Sequence, residues 1–304
     1  MNLRRVAIVF VMLSILLTAE AGAQNDFARS HGEFLTGAIQ PKPNFQLDAS
    51  YQPNVGIEDS DIADAADLVH VKTRLGRGFV VNKDVAILTA FNYSLRNYSS
   101  DESNVEEDLH ELAIELGVSW FVRDDILVSA TFRPGIFSDL DESIDGNDFV
   151  PQGNVIGIYQ WSESFFLKFG VAAGVEFFEE TSVIPVGGFT WVSSDQLRVD
   201  VFLPASATVT WQPWEKHSLL VVPGIHLQGQ RYRVNIGSEE GDIQIQDIRA
   251  DVTASYEVND GAWVSLTVGA NIRGKYKVEV EDVVDEEFDQ DPSAYFGIGF
   301  GTIF

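Results

Sequence analysis

The chain has 304 residues, no cysteine and a formal net charge of −26. These values exclude disulfides, thiolate chemistry and cysteine-ligated zinc, and they argue against nucleic acid and against a polybasic grip on anionic lipid. Aromatics reach 12% and hydrophobic residues 45%, the latter spread in alternation rather than in blocks, which is the texture of strands rather than of long helices.

The first element is a leader. Met1 to Arg5 is a short basic region, residues 6–19 are an apolar run, and Ala21-Gly22-Ala23 is a small-x-small site, so cleavage is expected before Gln24. The run is too short and wrongly flanked for a spanning helix. Residues 1–23 are thus read as a removed signal peptide, 24–43 as a short periplasmic segment and 44–304 as one domain. Removing Arg4, Arg5 and Glu20 with the leader makes the mature chain one unit more acidic. Beyond residue 23 no window approaches the roughly 18 apolar residues of a membrane helix, so a membrane form has to be a closed barrel.

Period-two alternation predicts about fourteen strands, near 44–51, 68–80, 84–96, 109–121, 126–136, 150–161, 165–177, 184–192, 197–203, 205–212, 218–234, 243–258, 262–278 and 294–304. In 165–177 one face reads Phe165, Leu167, Phe169, Val171, and the other Phe166, Lys168, Gly170, Ala172. In 262–278 Val264, Leu266, Val268, Ala270 and Ile272 oppose Ser265, Thr267, Asn271, Arg273, Lys275 and Lys277. One side of each strand pair is closed by a short polar turn: Asn82-Lys83-Asp84, Arg123-Asp124-Asp125, Ser162-Glu163-Ser164, Ser193 to Gln196, Glu215-Lys216-His217, and Asn259-Asp260-Gly261. The other side carries longer, acidic connections, near 52–66, 97–108, 137–149, 178–183, 235–242 and 279–293. That asymmetry, with strands longer than the usual 5–6 residues, is the pattern of an antiparallel transmembrane β-barrel with short periplasmic turns and long extracellular loops. Pro204 is either a hairpin tip or a kink. The kink gives an odd count, and twelve strands span if the first pair does not.

The chain ends AYFGIGFGTIF. Phe296, Ile298, Phe300, Thr302 and Phe304 share an outward face, and Tyr295, Gly297, Gly299 and Gly301 the inward one. The ending resembles the C-terminal assembly signal of bacterial outer-membrane barrels at Gly299, Phe300 and Phe304. It departs from it at Gly297 and Thr302, where a polar residue and an aromatic are usual.

A second resemblance lies in IPVGGFTWVSSDQLRVDVFLPASATVTWQPWEKHSLLVVPGIHLQGQRYRV. Pro185, Gly187, Gly188, Leu197, Leu203, Pro204 and Pro213, followed by Gly229 and Tyr232, resemble the core of a family of predicted outer-membrane barrels, the domain of unknown function 6268. The resemblance covers about fifty residues and implies a fold and a location; it implies no activity and no site residues.

Residues that could do chemistry are sparse. None of the five histidines has metal-ligand spacing, and His226, inward with Gln228 and Gln230, has no serine or aspartate at a diagnostic spacing. The glycine-rich stretches are strand glycines rather than dinucleotide turns. No catalytic residue and no cofactor is expected. The inward charges are more informative: His70, Lys72, Arg74, Arg96, Glu111, Glu115, Arg133, Lys168, Glu176, Arg198, Asp200, Asp247, Arg249, Asp251, Arg273, Lys275 and Lys277. Either they pair and plug the lumen, or they line a water-filled pore with a transverse field. Fourteen strands enclose more than the eight that side chains just fill, which favours a pore or cavity.

The acids concentrate in loops: seven in 281–291, five in 101–108 and five in 139–148. Such density reads as solvated loop, with Ca²⁺ or Mg²⁺ binding as the functional counter-reading and Asp141, Asp145 and Asp148 as candidate ligands. The expected partners are outer-membrane lipid and lipopolysaccharide, the barrel-assembly machinery, and divalent cations at the acidic loops. The expected function is passage or uptake of small solutes; the alternative is a non-conducting structural or surface-interaction barrel with a charge-plugged lumen. The mature protein is expected to start at Gln24, to fractionate with outer membranes and to migrate faster unheated than boiled on a detergent gel. Recovery as a soluble periplasmic monomer would contradict this reading.

Overall fold

The computed structural model describes residues 31, 34, 44–56, 66–100, 105–140, 144, 146–174, 182–214, 219–236, 239–259, 261–280 and 284–302. These residues form β1 (Phe45–Val55), β2 (Ala66–Asn82), β3 (Val85–Ser100), β4 (Val105–Arg123), β5 (Ile126–Ser138), β6 (Phe149–Ser162), β7 (Phe165–Gly174), β8 (Ser182–Ser194), β9 (Leu197–Leu203), β10 (Ser206–Trp211), β11 (Leu219–Ile236), β12 (Glu239–Asn259), β13 (Ala262–Val280), β14 (Val284–Gln290) and β15 (Ser293–Thr302). Each strand from β1 to β13 pairs antiparallel with the next, and β15 pairs with β13 on one edge and β1 on the other. The first and last strands meet from Phe45 opposite Thr302 to Tyr51 opposite Phe296, so the sheet closes. The result is an all-β, closed antiparallel barrel of 14 wall strands. Closure satisfies the backbone at the seam between the first and last strands, which is what hydrocarbon demands.

The turns work locally. Asn82 accepts the Asp84 N–H at 2.8 Å, and Ser194 accepts the Gln196 N–H at 3.2 Å. Arg123 donates to Asp125 at 2.8 Å, and that bond holds the Asp125 carboxyl below the usual carboxylate range. Gly261 has φ 75°, the left-handed backbone that a two-residue hairpin asks of its second position. Leu203 and Pro204 form a hairpin tip between β9 and β10, which removes the kink alternative.

The outer face carries the apolar stripe. Leu116, Val118, Phe132, Val155, Val171, Leu266, Val268, Phe296 and Ile298 are all exposed. Trp120, Trp161, Trp191, Trp211 and Tyr256 lie exposed at the periplasmic ends of their strands, forming an aromatic girdle at the water boundary. Phe304 and the loop residues 57–65, 101–104 and 175–181 lie outside the described residues.

Several expectations need correction. The acidic stretch 281–291 is not all loop: β14 lies within it and pairs with the upper half of β13, from Gly274 opposite Gln290 to Val280 opposite Val284. Glu287 and Asp289 alternate with Phe288 and Gln290, a strand period that charge density hid. The connection expected at 235–242 is a tight hairpin, because β11 runs to Ile236 and β12 starts at Glu239. The one expected at 97–108 is shorter too, since β3 reaches Ser100 and β4 starts at Val105. Arg273 and Lys275 do not face the lumen. A bulge leaves Ile272 unpaired, as Ile248 faces Arg273 while Arg249 faces Asn271, and one extra residue reverses the parity of everything beyond it. Tyr276 therefore points inward, Arg273 is exposed, and Lys275 pairs on the outer face with Glu287 of β14.

An arginine at Ile298 puts a charge on the lipid face. It is expected to destabilise the barrel by about 2–4 kcal/mol if the site lies near mid-bilayer, read by urea unfolding from lipid vesicles. An unchanged midpoint and slope would place Ile298 off the lipid face.

Candidate functional site

The barrel interior holds the chemistry, in three layers. At the periplasmic mouth, inward Phe121, Leu127, Ile158 and Phe166 form an apolar ring. His31 and Phe34, in helical conformation and preceding β1, sit inside that ring. His31 stacks on Phe121 at 3.7 Å between ring centroids, and its Nε2 lies 3.3 Å from Asp84. Phe34 packs edge-on against Phe121 and Phe166, at 5.0 and 5.4 Å. Nothing in the sequence of 24–43 marked these two residues as lumen-filling; the only signal was the apolar pair Phe34-Leu35 in a mostly polar stretch.

The middle layer is a polar belt. Near its lower edge Asp200 accepts from Lys168 at 3.1 Å, from Thr190 at 2.5 Å, and from Arg198. Higher up, Arg74 lies 3.7 Å from Glu115, and His70 shares a hydrogen bond of 2.8 Å with Ser94. Lys72 stands opposite Asp48 in the β1–β2 register. Glu111 pairs with Arg133 and accepts from Gln230 at 2.7 Å. Asp247 is the hub: it accepts from Arg249 at 2.9 Å, Asn271 at 3.0 Å and Arg96 at 3.5 Å. Arg96 and Asp247 are each 1% exposed. The cations Lys72, Arg74, Arg96, Arg133, Lys168, Arg198 and Arg249 are almost balanced by Asp48, Glu111, Glu115, Asp200, Asp247 and Asp251. The large negative charge of the chain therefore lies elsewhere, chiefly at the loops. The Nε groups of Arg96 and Arg249 find no protein acceptor among the described residues.

The top layer is apolar again. Leu109, Phe137, Val150, Tyr232, Val234, Ile245 and Tyr276 form a cluster inside the extracellular end, and the Tyr98 and Tyr276 hydroxyls meet at 3.1 Å. Alternation predicted their direction where parity was unbroken, but not that they would meet.

The other sequence candidates fall as follows. Glu176, Asp141 and Asp145 lie outside the described residues, and Asp148 is buried with its carbonyl accepting from the Phe137 N–H. Among the described residues no group of three His, Cys, Asp or Glu side chains could hold a metal ion. Gly299 and Phe300 lie on β15, inward and outward in turn, and Gly299 backs onto the Asp48 side chain. The fold brings Asp251 to 3.7 Å from His226 and places Ser206 opposite His226 in the β10–β11 register, a row that sequence spacing hid. Ser206 and His226 are register partners and share no hydrogen bond.

The profile of the domain of unknown function 6268 matches residues 81–302, and the chain belongs to that family. No curated protein matches the sequence significantly. Among solved structures, a mutant of the monoaromatic hydrocarbon channel TodX shows 9% identity, a TM-score of 0.47, and coverage of 88% of this chain and 92% of its own. An outer-membrane channel from Pseudomonas putida F1 shows 10% identity and a TM-score of 0.46, covering 88% of this chain and 98% of its own. The Pseudomonas putida toluene transporter TodX shows 8% identity and a TM-score of 0.42, with coverage of 87% and 90%. The closure of this barrel stands on its own ladder of backbone pairings. The chain is thus a closed antiparallel β-barrel of that family.

Removing the Asp247 carboxylate with Asp247→Ala leaves two buried guanidiniums without their shared acceptor. The expected loss is about 3–5 kcal/mol of stability, measured by urea unfolding in lipid. A loss under about 1 kcal/mol would mean that the belt is hydrated and its ion pairs are screened.

Proposed function

We propose that the protein is an uptake barrel for small solutes, seated in the outer membrane after removal of residues 1–23 and closed at rest by its own side chains. The observation that carries this reading is the seat of Phe34 in the periplasmic mouth. The wall is held by backbone ladders, whereas among the described residues the mouth is occupied by the side chains of His31 and Phe34. Burying one phenylalanine contributes about 1.5–3 kcal/mol. A contact of that size is displaced at a population cost of roughly ten- to a hundredfold, which suits a gate better than a foundation. Behind it, the polar belt offers paired charges and unfilled guanidinium donors that a passing solute's oxygens can use in place of water. The near balance of charge in the belt supports weak selectivity between anions and cations.

The structural-barrel reading draws on the same ion pairs, since fully paired charges can also serve as a permanent plug. Planar-bilayer recording separates the two. Wild-type protein is expected to open rarely, and Phe34→Asp to raise the open fraction at least about tenfold. If both remain silent while correctly folded, the barrel is a non-conducting structural or surface element.

A further inference from the structure

The wall is not of even height. β9 and β10 have 7 and 6 residues, where a tilted strand needs about 9–11 to cross a bilayer. Their neighbours do not stop with them. β8 continues past Gly187, its last partner on β9, to Ser182, and β11 continues past His226, opposite Ser206, to Ile236. Above the hairpin, the facing edges of β8 and β11 are not paired with each other among the described residues. β11 instead reaches across to β5. Arg233 sits beside Ser138, the Asp139 N–H donates to the Arg233 carbonyl at 3.2 Å, and the Asn235 N–H donates to the Asp139 carboxylate at 2.7 Å. Among the described residues this leaves an opening in the side of the barrel, with the hairpin tip below and the β5–β11 bridge above.

Its chemistry is apolar on both sides. On the outer rim Val183 is 68% exposed and Leu203 58%. On the inner side, strand parity points Val186 and Phe202 inward. Unpaired strand edges are costly in hydrocarbon, and Pro185 blunts one edge because it has no N–H to leave unsatisfied. Higher on the outer face of β11, Arg231 and Arg233 pair with Asp242, and Arg233 also with Glu240. Those charges mark where the wall leaves the hydrocarbon. The opening therefore straddles the edge of the outer leaflet, with the apolar side chains of Val186 and Phe202 on its inner side.

We infer that this opening is a side portal through which small apolar solutes pass between the outer leaflet and the barrel interior behind Val186 and Phe202. The inference rests on the uptake reading and adds to it a class of solute and a door. Apolar solutes concentrate in the leaflet before they meet the protein, and a portal at that depth spares them a return to water. A hydrophilic solute would have to shed its hydration to use the same route.

The absence of cysteine makes the test clean. Single-cysteine variants at Val183, Val186 and Thr253 carry a bimane fluorophore in vesicles of brominated phospholipid. Thr253 is inward behind the intact β12–β13 wall. Quenching is expected to be strong at Val183, at least about half as strong at Val186, and absent at Thr253. A Val186 label as shielded as the Thr253 label overturns the portal. In cells, uptake of N-phenyl-1-naphthylamine is expected to fall several-fold when Val183→Arg and Leu203→Arg are combined, at equal outer-membrane levels of protein. An unchanged rate also overturns the portal. Conduction by Phe34→Asp without quenching at Val186 removes the portal and leaves the uptake reading standing. Failure of both conduction and probe uptake removes the uptake reading itself.

Discussion

A strand edge left open in hydrocarbon strands a row of N–H and C=O groups, each costing several kcal/mol. The pairing of the first strand with the last removes that penalty here, and everything else in the molecule depends on it. The last strand is shaped for the task. Its inward face is Gly297, Gly299 and Gly301, so the inward side chains of its partner can lie over it: a Cβ on Gly297 would come 3.2 Å from the Ser50 Cβ, and one on Gly299 would strike Asp48. Its outward face is Phe296, Ile298 and Phe300, which meets lipid. One strand thereby fits both a crowded polar interior and an apolar solvent.

Once the wall is closed, side-chain parity dictates the interior. Every residue facing away from lipid faces the lumen, and fourteen strands supply more inward positions than a water-filled tube needs. The chain fills the ends with apolar side chains and the middle with charges of both signs. Isolated buried charges are prohibitively costly, so the belt exists because each sign finds the other: Asp247 with Arg96 and Arg249, Glu111 with Arg133, Asp200 with Lys168 and Arg198.

The fold was legible because period two is a direct physical imprint of a sheet with lipid on one face. The alternation in 165–174 and 294–302, the short turns and the terminal aromatics each reflect that single constraint. Legibility failed where the period was broken or hidden. The bulge at Ile272 reversed Arg273 and Lys275, and no local residue announces a bulge unless it is a glycine. β14 was hidden because seven acids in 281–291 read as solvated loop, although Glu287 and Asp289 alternate with Phe288 and Gln290. The interior was legible in its lower and middle thirds, where parity held, and the direction of His70, Arg96, Glu111 and Lys168 followed from it. The contacts themselves were not, since Arg96 and Asp247 are 151 residues apart and meet only across the closed lumen. Phe34 lies outside any strand, so no periodicity could reveal its seat.

Closure can be tested at the seam itself. Ala49 and Ile298 are register partners on β1 and β15, and paired antiparallel residues lie about 4.5–5.5 Å apart between Cα atoms, within disulfide reach. With cysteine at both positions, mild oxidation of the membrane-embedded protein is expected to link them efficiently, and the linked chain should stay compact on a gel after boiling without reductant. A cysteine pair at Ala49 and Phe300, two residues out of register, should link poorly. Free thiols at Ala49 and Ile298 after oxidation, or equal linkage of both pairs, would contradict the closed barrel on which the account rests.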